Sequence, residues 1–133
     1  MKRYFLISFI SFLTLINIAA SNDKLLTAKF CNIMKNAFSG TYNPKDLCEK
    51  YHGTFCSNMK SIGQGICAAN GKPFCDSYKN DGHAICEAGE GVFCSSIKTM
   101  AGGICASLGK PFCDKEIDEV KWKSMLREAC YWE

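Results

Sequence analysis

Ten cysteines are the residues of this sequence with the most chemistry to offer. A thiolate attacks electrophiles or binds zinc, and two thiols join as a disulfide. Zinc sites usually begin with two closely spaced ligands such as C-x2-C, whereas the nearest cysteines here are eight positions apart. Their even number leaves no cysteine over as a nucleophile when all of them pair. The pattern therefore predicts five disulfides, no metal site and no cofactor.

The other groups suited to acid–base or metal chemistry are sparse. His52 and His83 are the two histidines, and the spacing predicts a helix-end position for His52 and a surface turn for His83. No G-x-S-x-G nucleophile motif occurs in the sequence. Four acidic residues gather near the middle of the chain without the spacing of an EF-hand loop, namely Asp76, Asp81, Glu87 and Glu90. We therefore expect neither an enzyme nor a calcium site.

The first 20 residues have the pattern of a secretory signal peptide. Lys2 and Arg3 precede an apolar stretch over 4–16, and Ala19 and Ala20 offer small residues for cleavage. The alternative is a retained anchor, but the stretch is short for a bilayer span of about 20 apolar residues. We predict a signal peptide at 1–20 and one cysteine-rich domain at 21–133. The protein would then be secreted or periplasmic, and not integral to the membrane once the signal is cleaved.

Charge excludes two classes of partner. Without Lys2 and Arg3 the chain keeps 14 basic and 13 acidic residues, a net charge of +1. Nucleic-acid-binding proteins and membrane-lytic peptides usually carry a strong positive excess. We therefore expect no nucleic-acid partner and no lytic activity.

The cysteines belong to an internal repeat. The segment "ICAANGKPFC" at 66–75 returns as "ICASLGKPFC" at 104–113. Successive cysteines are separated by 17, 8, 11, 8, 11, 8, 11, 8 and 17 positions, so the central period is 19 residues. They are Cys31, Cys48, Cys56, Cys67, Cys75, Cys86, Cys94, Cys105, Cys113 and Cys130. About five copies result, and the longer first and last copies are typical of the capping units of a stacked array.

Two further residue types follow the repeat. A lysine stands four positions after a cysteine at Lys35, Lys60, Lys79 and Lys98. Stacked copies would place these lysines in a basic stripe that binds an acidic glycan or an acidic protein, although solvated positions inherited by duplication are the alternative. A phenylalanine precedes a cysteine at Phe30, Phe55, Phe74, Phe93 and Phe112. We predict that these five rings form the repeating core.

The elements that carry these residues read as short helices. "LLTAKFCNIMKNAF" has a helical period and ends at Ser39-Gly40, and Asn43 with Pro44 begins a second helix. "FCSSIKTMAGG" and "GGICASLG" predict a further pair, the second ended by Gly109. "IDEVKWKSMLREACYW" predicts one longer helix. The fold class is all-α: a disulfide-rich, solenoid-like array of short αα-hairpin repeats.

Two pairing schemes use all ten cysteines. The first closes each longer interval on itself, as in Cys56–Cys67. The second closes each C-x7-C segment and leaves Cys31 to pair with Cys130. The eight-residue step is invariant and each of its loops contains glycine, which favours the second scheme. Whole self-contained units at both ends of the array favour the first, so both remain open from the sequence.

The segments "CEAGEGVFC" and "CAANGKPFC" resemble the disulfide-closed turns of bacterial secreted Sel1-like cysteine-rich repeat proteins. In that family, a C-x7-C turn links two helices. The resemblance covers four nine-residue segments, and it implies a secreted binding protein that acts in contacts between bacterium and host.

Together these patterns predict a non-catalytic binding or structural protein, secreted or periplasmic and stabilised by disulfides. Its partner would be an extracellular protein or an acidic glycan. The alternative is a secreted, toxin-like effector that acts on a host protein or a membrane.

Overall fold

The computed structural model of the chain describes residues 26–114 and 118–132. The predicted signal peptide at 1–20 lies outside these residues. Within the two ranges every regular element is helical and no β-strand is present. The α-helices are α1 Ala28–Phe38, α2 Pro44–Lys50, α3 Ile62–Ala69, α4 Asp81–Ala88, α5 Met100–Ser107 and α6 Glu119–Cys130. The predicted all-α array of disulfide-linked helical units is confirmed.

Five disulfides join all ten cysteines, as in the second pairing scheme. The bridges are Cys31–Cys130, Cys48–Cys56, Cys67–Cys75, Cys86–Cys94 and Cys105–Cys113. In each of the four short bridges, the first cysteine lies in a helix and the second follows the loop after it. For three of them the second cysteine begins a 3₁₀ turn, at Cys56–Asn58, Cys75–Ser77 and Cys94–Ser96. Each bridge therefore fixes one helix to the turn that leads to the next.

A polar residue caps the start of α3, α4, α5 and α6, again at intervals of 19. The capping residues are Ser61, Asn80, Thr99 and Asp118. The side-chain oxygen of Asn80 accepts a hydrogen bond from the His83 backbone N–H at 2.7 Å, and that of Thr99 accepts one from Gly102 at 3.0 Å. Such bonds satisfy backbone donors that the first helical turn leaves unpaired. The interval of 19 between these four polar residues is visible in the sequence.

Helices α2 to α5 end in a common way. The residue after each C-cap has a positive φ, at His52 (59°), Gly71 (76°), Glu90 (57°) and Gly109 (75°). The next backbone N–H then donates back to the carbonyl of the helix's own cysteine, for example from Gly91 to Cys86 at 2.8 Å. This is the hydrogen-bond pattern of a Schellman motif. It confirms the predicted helix end at Gly109 and the helix-end position of His52.

The predicted helix over "FCSSIKTMAGG" is wrong. The 3₁₀ turn Cys94–Ser96 is followed by Ile97 in an extended conformation, with ψ 122°, and the helix begins only at Met100. Thr99 caps that helix, so the segment before it cannot continue into it. The segment that follows the second cysteine of this bridge is therefore a single 3₁₀ turn rather than an α-helix.

The core lies between the repeating helices and the two longer helices at the ends. Leu47, Ile66, Ile85 and Ile104 occupy equivalent positions and are fully buried. Residues of α1 and α6 complete the same cluster, among them Ile33, Met34 and Leu126. Helices of seven or eight residues are marginal alone in water, so this shared core and the bridges hold them.

Helices α2 to α5 stack in chain order, and glycine permits their closest approach. A Cβ atom added at Gly82 would meet the backbone carbonyl of Thr99 inside contact distance, and one at Gly103 would meet the carbonyl of Gly82. Helices α4 and α5 therefore touch backbone to backbone at this point.

The two end helices are joined to each other. The Cys31–Cys130 bridge links the start of α1 to the end of α6, with 5.6 Å between the Cα atoms. At the opposite end of the pair, the rings of Phe38 and Trp122 lie 5.2 Å apart. Helices α1 and α6 therefore run antiparallel, and they close the array on itself.

Candidate functional site

Four of the five repeated phenylalanines lie on the surface. Phe55, Phe74, Phe93 and Phe112 are between 73% and 82% exposed, whereas Phe30 is buried at 3%. The prediction that these rings form the core is therefore wrong for all except Phe30. We call the four exposed residues, Phe55, Phe74, Phe93 and Phe112, the phenylalanine row.

The backbone explains why these rings point outward. Each residue of the phenylalanine row has left-handed dihedral angles, with φ between 53° and 61°. Each also directly precedes the second cysteine of a short bridge, whose sulfur turns inward and is buried. The left-handed residue reverses the chain at this point, so the cysteine faces the core and the phenylalanine faces water. Phe30 is buried instead, because it lies within helix α1.

The phenylalanine row combines two unfavourable features. A bulky side chain in the left-handed region is uncommon and costs about 1–2 kcal/mol. Glycine or asparagine would fit this conformation better, yet phenylalanine stands at all four equivalent positions. A large exposed ring also gains nothing from folding. Local strain and exposed apolar surface both concentrate at functional sites, which makes the row the candidate binding surface.

A groove separates two members of the row. It has a volume of about 650 Å³ and lies between Phe93 and Phe112. Val92, Ile97 and Pro111 add apolar wall. Charged residues also line it, namely Glu90, Lys110 and Asp114. The groove is large enough to hold an apolar side chain of a partner.

Three lysines of the predicted stripe accompany the phenylalanine row. Lys60, Lys79 and Lys98 are exposed and follow the three 3₁₀ turns at equivalent positions. The ammonium group of Lys98 donates to the Ser95 carbonyl at 3.2 Å, and that of Lys60 lies 3.4 Å from the Ser57 carbonyl. These ammonium groups therefore lie against the same turns that the phenylalanines begin.

The fourth lysine of that set has a different position. Lys35 lies in the last turn of α1 and lines a cavity of about 460 Å³ with Arg127, Tyr131 and Trp132. Its spacing from Cys31 matches the repeat, but its helix is one of the two end helices. We call this second feature, formed by Lys35, Arg127, Tyr131 and Trp132, the end pocket.

The two histidines lie on different elements, His52 at the end of α2 and His83 in α4. His83 lies in the first turn of α4, not in the predicted surface turn, and its ring packs 4.5 Å from that of Tyr78. Its Nε2 atom lies 3.5 Å from the Glu87 carboxylate one turn later. Burial, and secondarily the charge of Glu87, raises the pKa of the Tyr78 hydroxyl. His52 is exposed at the end of α2.

Over 26–114 and 118–132, no three His, Cys, Asp or Glu side chains converge where a metal ion would bind. The described cysteines are all in disulfides. Five disulfides are typical of proteins from an oxidising, extracellular-type compartment. None of the helices described is long and apolar enough to cross a bilayer.

Comparison of the chain with protein-family models, with curated proteins and with solved structures finds no match. The likeness to Sel1-like repeats therefore stays a resemblance of the short C-x7-C segments.

Proposed function

We propose that this chain is a secreted or periplasmic, non-catalytic binding protein. Its binding surface is the phenylalanine row, and its partner is an extended segment of another protein outside the cytoplasm. The observation that carries the proposal is the row itself: four rings that are 73% to 82% exposed, all held in a strained backbone conformation at the same step of the repeat.

The spacing of the row supports an extended partner. Packed helices lie about 8–10 Å apart, so equivalent rings on successive repeats are offset by about that distance. Three residues of a polyproline II segment advance about 9.3 Å, whereas two residues of a β-strand advance about 6.7 Å. The glycine contact between α4 and α5 places this offset at the short end of the range, so an extended segment with an apolar side chain at every second or third residue matches the repeat.

Charge supports a partner with acidic residues between its apolar ones. Lys60, Lys79 and Lys98 each follow a phenylalanine of the row by five positions. Acidic side chains on the partner would meet these ammonium groups while the apolar ones fill the spaces between rings. Such pairs add specificity and association rate more than affinity.

The row is large enough to bind another protein. About three quarters of each ring is exposed, and a phenylalanine buries about 200 Å², so the row offers about 600 Å² of apolar surface. A stable protein–protein interface buries about 800 Å² on each side. Only a little over half of such an interface is apolar, so the four rings supply enough apolar area for a stable contact with another protein.

A displayed library tests this proposal. Random 16-residue peptides on phage would be selected on the oxidised wild-type protein and counter-selected on Phe93→Asn/Phe112→Asn. Asparagine accepts the left-handed conformation, so this variant removes the rings on both sides of the groove and keeps the turn. We expect enriched peptides with apolar residues two or three positions apart and acidic residues between them.

Affinity then assigns the surface. By fluorescence anisotropy, an enriched peptide should bind Phe93→Asn/Phe112→Asn at least tenfold more weakly than wild type. Val120→Asn is the matched control, because Val120 is 80% exposed on α6 and is not among the residues that line the groove. It should leave the Kd unchanged. No enriched peptides, or equal affinity of the double variant and wild type, would refute the proposal.

The effector alternative is tested on the same variants. Exposed rings beside lysines also suit the interface of an anionic bilayer. Sedimentation with vesicles of phosphatidylcholine and phosphatidylserine separates the two partners. Suppose that the wild-type protein sediments with the vesicles, that the double variant does not, and that no peptide binds the wild type. This result would favour a membrane target over a protein.

A further inference from the structure

The end pocket is chemically unlike the phenylalanine row. Lys35 and Arg127 supply two positive charges, and Tyr131 and Trp132 supply two aromatic rings. These four residues complete its lining among those described, so it contains no described acidic side chain. Two cations beside two aromatic rings form a site for an anion attached to a ring that has an apolar face.

The fold brings the two cations together across the paired end helices. Lys35 lies one turn after Cys31 on α1, and Arg127 lies nearly one turn before Cys130 on α6. Because these helices are antiparallel and joined by the Cys31–Cys130 bridge, the two side chains face the same cavity. Like charges so placed repel each other, and a bound anion would remove the repulsion.

Backbone hydrogen bonds fix the aromatic side of the pocket. Tyr131 has a left-handed conformation with φ 57° and is 83% exposed. The backbone N–H of Trp132 donates to the Arg127 carbonyl at 3.0 Å, which closes the end of α6. The covalent bridge and this closed helix end hold the pocket before any ligand arrives, which lowers the entropic cost of binding.

We propose that the end pocket binds an acidic sugar, meaning a pyranose that carries a carboxylate or a sulfate. The Arg127 guanidinium pairs with two oxygens of the anion, and Lys35 adds a second charge. The faces of Tyr131 and Trp132 carry negative charge density, which attracts the polarised C–H groups of a sugar ring. A volume of about 460 Å³ lies within the usual range of about 300–1,000 Å³ for small-molecule sites. This proposal is independent of the phenylalanine row.

Isothermal titration calorimetry with two defined probes tests the proposal. A heparin tetrasaccharide offers sulfate and carboxylate, and tetragalacturonate offers carboxylate alone. Maltotetraose is the neutral control. We expect saturable one-to-one binding of at least one acidic probe and none of maltotetraose. The probe that binds identifies which anion the pocket prefers.

A charge-matched pair of variants assigns the site. Lys35→Gln/Arg127→Gln should weaken binding at least tenfold, whereas Lys29→Gln/Lys121→Gln removes the same charge from exposed positions of the same two helices and should change the Kd less than twofold. Arg127→Lys keeps the charge but loses the two-pronged contact, and it should fall between these values. Thermal unfolding of each variant checks that the fold is intact.

Several results would overturn the inference. Equal losses in the two double variants would mean non-specific attraction of a polyanion. If Lys35→Gln/Arg127→Gln bound the acidic probe as tightly as wild type, or if neither acidic probe bound the wild type, the end pocket would be excluded as the acidic-sugar site. If hexaglutamate competed for the site as well as the sugars do, the pocket would recognise negative charge and not a sugar ring. If Lys35→Gln/Arg127→Gln were less stable than wild type but bound the probe equally well, the two cations would serve only to stabilise the ends of their helices.

Discussion

At the scale of single residues, a left-handed backbone decides which side chains reach water. The phenylalanine row and Tyr131 share this conformation, with φ between 53° and 61°, and all five rings are more than 70% exposed. The sequence patterns could predict that a phenylalanine recurs beside each cysteine. They could not predict its direction, because an apolar residue at a fixed step of a repeat is equally consistent with a core position. The signal that was available is the invariant eight-residue loop, whose tight reversal requires residues with positive φ.

Replacement of Phe93 by asparagine should stabilise the protein. Asparagine adopts the left-handed region more readily than phenylalanine, and the 82% exposed ring contributes little packing. We expect the free energy of unfolding to rise by about 0.5–1 kcal/mol, measured by guanidinium chloride denaturation with disulfides intact.

Phe93→Val is the control for that measurement. A β-branched side chain tolerates positive φ poorly, so valine should lower the free energy of unfolding relative to asparagine by about 1 kcal/mol or more. If asparagine destabilised the protein instead, the ring would have a structural role, and the strain would no longer point to binding.

At the scale of elements, the repeat is one capped helix, one disulfide and one turn. Ordinary capping preferences predict a helix start at Asn43 and a helix end at Gly109, and both agree with the structure. The segment after Cys94 was predicted as a helix because Ile97 and Met100 have helical spacing. The cap at Thr99 prevails over that spacing, because it satisfies the first backbone donors of the helix that begins at Met100.

The contact between α4 and α5 makes Gly82 hard to replace. An alanine methyl there would meet the backbone carbonyl of Thr99, which cannot move away as a flexible side chain would. We expect Gly82→Ala to lower the free energy of unfolding by about 1–3 kcal/mol, as overpacking does elsewhere. Chemical denaturation measures the loss.

Gly40→Ala serves as the control for Gly82→Ala. A Cβ at Gly40 meets nothing within 4 Å, so its cost comes from a φ of 78° alone. Gly40→Ala therefore measures what a positive φ costs without overpacking, about 1–2 kcal/mol. A loss well under 1 kcal/mol at Gly82 would mean that the helices move apart easily, and that their contact is not held by glycine.

At the scale of the whole molecule, four short bridges fix single units while the fifth joins the ends. Cys31 and Cys130 are 99 residues apart, whereas the other pairs are eight apart. The unvarying step of the short pairs favoured them in the sequence. The long pair was reached by exclusion, because no local pattern shows that two end helices will lie side by side. The end pocket could not be predicted for the same reason.

Removal of the long bridge should cost more stability than removal of a short one. On the loop-entropy estimate, a loop of about 100 residues contributes about 4.7 kcal/mol and one of eight about 2.5 kcal/mol. We expect Cys31→Ala/Cys130→Ala to lower the free energy of unfolding by about 4–5 kcal/mol, and Cys86→Ala/Cys94→Ala by about 2–3 kcal/mol. Denaturant midpoints and slopes of both variants would measure the difference. An equal cost would mean that the ends already meet in the unfolded chain.

The joined ends also determine how the molecule responds to mechanical tension. A pull applied beyond Cys31 at one end and beyond Cys130 at the other passes directly through the bond between their sulfur atoms. The 98 residues between them form a side loop that carries none of the load. An open stack of repeats would lengthen unit by unit under the same tension. Here the repeats stay slack until the bridge is reduced, so this domain would act as a nearly inextensible link in any chain that held it.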